Sequence, residues 1–202
     1  MKTKLLLTAL TCVAASFAIA DEVKVGSEAP AFTLTDTEGK THNLADYRGK
    51  YVVLEWFNEG CPFVKKHYAG GNMQKLQKEY TGKDVVWLSM NSSAEGEQGH
   101  VTPESAKKTM AEWNMEATKI LLDHDGKVGQ AYGARTTPHM YVIDPEGKLV
   151  YQGAIDSKAT ANAADIESSE NYVKVALDNS MAGKPVENTS TKPYGCSVKY
   201  KD

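Results

Sequence analysis

Cysteine is scarce in this chain: three in 202 residues, at positions 12, 61 and 196. No two are close in sequence, which excludes a Cys-x-x-Cys pair. Positive charge is also in short supply, with 23 Lys and Arg against 26 Asp and Glu. No basic stripe exists that could track a nucleic-acid backbone or an anionic membrane surface. Among the five histidines, His42, His100 and His124 show no ligand spacing. Beyond the first twenty residues there is no apolar run long enough to span a bilayer. Internal repeats and domain linkers are absent as well.

The first twenty residues read as a secretory leader. Lys2 and Lys4 precede the apolar "LLLTALTCVAASFAIA", and Ala18-Ile19-Ala20 offers small residues at a cleavage site before Asp21. Lipoprotein processing at Cys12 and an uncut anchor are the alternatives. Cleavage removes two lysines, so Lys and Arg fall from 23 to 21 against 26 acids, and the mature net charge is −5 rather than −3. It also removes Cys12 and leaves Cys61 and Cys196. A periplasmic or secreted protein meets oxidising conditions in which such a pair can persist as a disulfide. Residues 21–182 are of single-domain size and can bury a core without staples. Residues 183–202 form a polar tail that carries Cys196 and is expected to be mobile.

Strands are expected near residues 31–35, 51–57, 84–90, 119–122, 139–144 and 148–153, the first opening an N-terminal hairpin. "YVVLEWF" (51–57) is near-continuously apolar and suits a buried central strand. Helices are expected from Pro62, interrupted at Gly70-Gly71; from Pro103, with Thr102 as N-cap; and over Asn162 to Met181. This order predicts an α/β sandwich with a central mixed sheet flanked by helices. Trp56, Trp87 and Trp113 are expected in the core.

Cys61 stands where a central strand hands over to a helix, in "NEGCPFVKK". A helix N-terminus presents unpaired N–H groups and a positive dipole end, which stabilise a thiolate. Pro62 suits the first helical position, and Lys65 and Lys66 add positive charge. The plain alternative is a small buried residue that packs. Glu55, in the apolar strand, reads as a buried carboxyl with a raised pKa or as an edge-strand charge. His67 reads as packing or surface; His42, His100 and His124 fall in polar loops.

These segments resemble the thioredoxin superfamily over most of the mature chain. "YVVLEWFNEGCPFV" is similar to the strand and active-site turn, and "ARTTPHMYVIDPEGKLVYQG" to the segment with the cis-proline loop. The opening "GSEAPAFTLTDTEGKTHNLADYRGK" is similar to the redoxin branch, which includes secreted oxidoreductases and peroxiredoxins. The resemblance implies a thioredoxin-like fold with an N-terminal β-hairpin extension. It implies Cys61 as nucleophile, Pro138 as the cis-proline, Thr137 before it, and Glu55 as a buried acid that assists proton transfer. Two departures stand out. Val64 occupies the place of the second cysteine of Cys-x-x-Cys. Leu54 and Asn58 stand where peroxiredoxins have Pro and Thr, and only Arg135 lies near the place of their Arg. His139 could join Cys61 at a metal as in copper-delivering redoxins, but Lys65 replaces their second cysteine.

The leading expectation is therefore a thiol–disulfide oxidoreductase using Cys61, with Cys196 as its partner. The tail can reach about 43 Å at 3.3 Å per residue, enough to cross a small domain. A peroxiredoxin-like thiol peroxidase and a binding module with a structural disulfide are the alternatives. The expected partners are a protein or small-molecule disulfide or thiol and an unidentified reductant. No cofactor, metal, nucleic acid or stable membrane insertion is expected.

Overall fold

The computed structural model describes residues 23–201, so the leader, Cys12 and the cleavage site lie outside the described residues. A seven-stranded mixed sheet carries the fold. In chain order its strands are β1 (Thr33–Asp36), β2 (Thr41–Asn43), β3 (Val52–Trp56), β4 (Val86–Asn91), β5 (Lys119–Leu122), β7 (His139–Ile143) and β8 (Leu149–Gly153). They lie side by side as β2-β1-β5-β4-β3-β7-β8. A separate pair joins β6 (Thr136–Thr137) to β9 (Cys196–Ser197). The helices are α1 (Pro62–Ala69), α2 (Asn72–Thr81), α3 (Pro103–Glu112), α4 (Lys127–Tyr132) and α5 (Tyr172–Met181).

β3 runs parallel to β4 and antiparallel to β7, and all five of its residues are buried. A strand covered on both faces favours apolar residues on both sides, which explains "VVLEW", interrupted by Glu55 alone. Side-chain alternation splits it between two cores. Val52, Leu54 and Trp56 pack with Leu88, Tyr132 and Tyr141 on one face. Val53 and Phe57 pack with Tyr68, Trp87, Tyr151 and Leu177 on the other. Glu55 shares the second face and is wholly buried, so the edge-strand reading of this acid does not hold.

Several expectations are corrected. The last α-helix begins at Tyr172 rather than near Asn162. The Asn171 side chain accepts from Lys174 N–H at 2.9 Å and caps it there, and residues 163–165 form a separate 3-10 turn capped by Asn162. Trp113 is only half-buried, its ring tilted at 45° against Tyr68 at 4.8 Å, while Trp56 and Trp87 are fully enclosed. His42 lies on β2, not in a loop, buried between Asp36 at 2.9 Å and Tyr47 at 2.6 Å. The tail is docked along its length. Gln152 N–H donates to Thr189 O at 3.0 Å and Thr191 N–H to Gln152 O at 3.1 Å, alongside β8. Further on, Val198 N–H donates to Arg135 O at 3.0 Å, and Tyr200 Oη to Ala134 O at 2.7 Å.

Candidate active site

The site is built where β3 ends. Asn58 is buried, and its Oδ1 accepts from Gly60 N–H at 2.8 Å, forming a tight side-chain turn. Cys61 N–H closes the same turn on Asn58 O at 3.0 Å. Cys61 then caps α1, with Pro62 as its first residue, as the Gly-Cys-Pro junction predicts. The Cys61 side chain does not cap the helix. Its Sγ–H points across to Thr137 O, which accepts at 3.1 Å. Thr137 precedes a cis peptide bond to Pro138.

Thr137 pairs with Cys196 in the β6–β9 ladder, so both cysteines converge on one residue. Both are free thiols; Cys61 is fully buried and Cys196 half-exposed. Burial alone would push the Cys61 thiol up. Hydrogen bonds from the Cys196 side chain, the Val64 and Cys196 backbones and the Thr137 hydroxyl outweigh it and hold the thiol below its ordinary range. The Cys196 thiol moves the other way, to about 11, through burial and its bond to the Cys61 sulfur. Opposed shifts in adjacent groups separate a nucleophile from a proton donor. The Thr137 hydroxyl is buried without a nitrogen or oxygen partner.

Glu55 lies deeper. Its carboxylate accepts from Tyr68 Oη at 2.8 Å, Trp87 Nε1 at 2.8 Å, Gln77 Nε2 at 3.1 Å and Ser89 Oγ at 3.2 Å. Burial raises its pKa, and these four donors recover only part of that shift. Neither cysteine is among its partners. A raised carboxyl pKa stabilises the fold below the ordinary carboxyl range and loses that contribution as pH rises through the folded value. The stability of the wild type relative to Glu55→Gln should therefore decline as pH rises above the ordinary carboxyl range, read as denaturant midpoints. A pH-independent difference would remove this account.

Sequence reasoning missed the group that anchors the tail. Lys66 Nζ meets Asp156 Oδ2 at 3.2 Å, with both side chains essentially unexposed. Tyr194, two residues before Cys196, donates from Oη to Asp156 Oδ1 at 2.5 Å. Asn72 donates to His67 Nδ1 at 2.9 Å, which leaves the His67 proton on Nε2, facing Tyr194 Oη at 3.1 Å. Burial holds the His67 pKa down at about 4, so the ring is neutral at pH 7. Lys66 and His67 sit one turn into α1, and "KKH" four residues after Cys61 was the available signal. Arg135 is exposed beside Thr136 and the tail, lining a cavity of about 490 Å³. His139 is buried and held near 3 by burial and by Arg135; its Nδ1 accepts from Arg135 N–H at 3.3 Å. Among the described residues, no group of three or more His, Cys, Asp or Glu is placed to hold a metal.

The AhpC/TSA family model matches residues 25–152. The chain belongs to the AhpC/TSA family. It is 35% identical over 147 residues to the thiol-disulfide oxidoreductase ResA of Geobacillus thermodenitrificans, covering 72% of this chain and 79% of that protein. An uncharacterized conserved protein from Geobacillus kaustophilus is similar in structure, with TM-score 0.74, 30% identity, and coverage of 90% of this chain and 94% of that one. The thioredoxin domain of a thiol-disulfide oxidoreductase from Bacteroides vulgatus matches with TM-score 0.53 and 25% identity over 73% of this chain and 98% of that domain. This AhpC/TSA chain is thus a thiol-dependent oxidoreductase with a thioredoxin-like fold. Asp156 and the docked tail with Tyr194 and Cys196 lie beyond the residues that the AhpC/TSA model matches.

Proposed function

We propose that the protein is a periplasmic or secreted thiol–disulfide oxidoreductase with Cys61 as nucleophile and Cys196 as resolving cysteine. The observation that carries this reading is the convergence of the two thiols on Thr137, 135 positions apart in sequence (196 minus 61). The Cys61 thiolate attacks one sulfur of a substrate disulfide. A mixed disulfide forms, and the other substrate sulfur leaves as a thiolate that takes up a proton. Cys196 then loses its proton and attacks the Cys61 sulfur. The Cys61–Cys196 disulfide forms and the second substrate thiol departs, so two electrons have passed to the substrate. An external dithiol resets the pair. Thr137 and Pro138 shape the receiving surface, and Glu55 serves as a buried acid beneath α1; slower exchange near neutral pH in Glu55→Gln would support that role.

Titration against a dithiol buffer tests the proposal. The Cys61–Cys196 couple is expected above about −300 mV, among exchanging pairs rather than structural bridges. A lower value would make the bridge structural and defeat the assignment.

Membership of the AhpC/TSA family favours peroxide reduction as a second reading. O–O cleavage needs donors preorganised around both oxygens. The Asn58 amide is engaged with Gln98 Oε1 at 2.9 Å, and Pro138 has no N–H to donate. Cys61 is accordingly expected to react with hydrogen peroxide little faster than an ordinary thiolate, as read by stopped flow. A rate constant roughly a hundredfold or more higher, lost in Arg135→Ala, would establish the peroxidase instead.

A further inference from the structure

We propose that Tyr194–Ser197 is an internal pseudo-substrate, seated along Thr136–Thr137 in the strand position that the site offers to an extended peptide of a partner protein. The segment also specifies that peptide: a phenol, then glycine, then the reacting cysteine. This deepens the thiol–disulfide reading and rests on it.

Four observations support the proposal. First, β6 stands outside the seven-stranded sheet, and β9 is its ladder partner. A short strand beside a reactive sulfur, paired by a segment from the chain's far end, is strand addition within one molecule. Second, Cys61 is fully buried although it is the sulfur that must meet a substrate. Thr137 O and Cys196 stand against it, so an external disulfide can reach it only when the segment leaves.

Third, Gly195 has φ of +134°, and a Cβ there would lie 2.0 Å from Thr137 O and 2.8 Å from Thr137 C. The backbone approach is so close that only glycine fits before the cysteine. Fourth, Tyr194 fills a formed receptor. Its ring packs on Phe63 at 5.8 Å with Lys66 Nζ 5.6 Å from its centroid, and its hydroxyl meets Asp156 and His67. All three polar residues of that floor are buried. A phenol satisfies them, whereas a phenylalanine would leave Asp156 Oδ1 and His67 Nε2 short of a partner.

Alkylation of Cys61 by iodoacetamide tests the proposal. Rates are taken on the high-pH plateau, so that a change in thiol pKa does not enter. Full-length Cys196→Ser is compared with a chain ending at Pro193. The shortened chain should react roughly tenfold faster or more, the factor set by each 1.4 kcal/mol of docking. The peptide KPYGSSVKY added in trans should restore protection, and its Gly→Val version should not. If the shortened chain does not fold, full-length Gly195→Val with Cys196→Ser, checked by circular dichroism, should show the same acceleration. Equal rates in the folded variants, or a Gly→Val peptide that protects equally well, would overturn the proposal. Alkylation requires no exchange partner, so a protein that fails to exchange disulfides still reports whether the segment covers Cys61.

Discussion

In Cys196→Ser the reaction should halt at the mixed disulfide. Cys61 can still attack a small disulfide, because its own position on α1 and its contact with Thr137 O do not depend on the lost sulfur. Nothing then displaces the adduct, since Val64 occupies the place of a nearer second thiol. With no reductant added, mass spectrometry should find one equivalent of half-substrate bound to the variant. In the wild type the adduct should be transient and give way to a Cys61–Cys196 disulfide. Closing so long a loop adds roughly 4–5 kcal/mol in the chain-entropy model, so the oxidised protein should be more stable than the reduced one. A variant that turns over normally without an adduct would remove Cys196 from the mechanism.

The second large effect is on stability. Asp156→Ala strips a buried ammonium of its anion, leaving Lys66 with Lys158 O at 2.8 Å and the Tyr194 ring 5.6 Å away among the described residues. It also deprives Tyr194 Oη and Lys158 N–H of their acceptor, while Ser169 Oγ keeps Ile166 O at 2.8 Å. Breaking one side of a buried pair costs about 3–5 kcal/mol, most of it the penalty of an uncompensated charge. That origin can be tested. Lys66→Met combined with Asp156→Leu removes both charges and should recover a large share of the loss in urea denaturation. Equal destabilisation of the single and double variants would show that the hydrogen bonds from the tail, not the charge, dominate.

The parts of the site legible in the sequence are those encoded locally. "YVVLEWF" shows a strand covered on both faces because burial on two sides leaves no polar positions, and Glu55 stands out as the exception. Cys61-Pro62 marks a helix start because proline fits the first turn. Thr137-Pro138 was legible by resemblance alone. The tail was misread because composition reports solvation, not docking. One of its anchors is Tyr194, reaching Asp156 38 residues away in sequence and His67 127 away. No periodicity connects such positions. The helix expected from Asn162 failed for a related reason: Asn171 can cap a new helix wherever the chain lets it, and the polar run before it carries no apolar stripe to settle the matter.

The run of the tail along β8 has a consequence for the molecule's behaviour in a crowd. An open sheet ends in two strands with unpaired backbone groups, each a template for another chain. Here one border is β2, three residues long and too short to recruit a neighbour effectively. The other is β8, five residues long, and residues 189–191 lie against it, with Thr191 Oγ1 also meeting Tyr151 Oη at 2.7 Å and Ala154 N–H at 3.0 Å. The same ribbon that carries Cys196 thus covers part of the exposed flank. A chain cut before Thr189 would lose solubility as well as a thiol, whereas one cut after Pro193 would keep its guarded border.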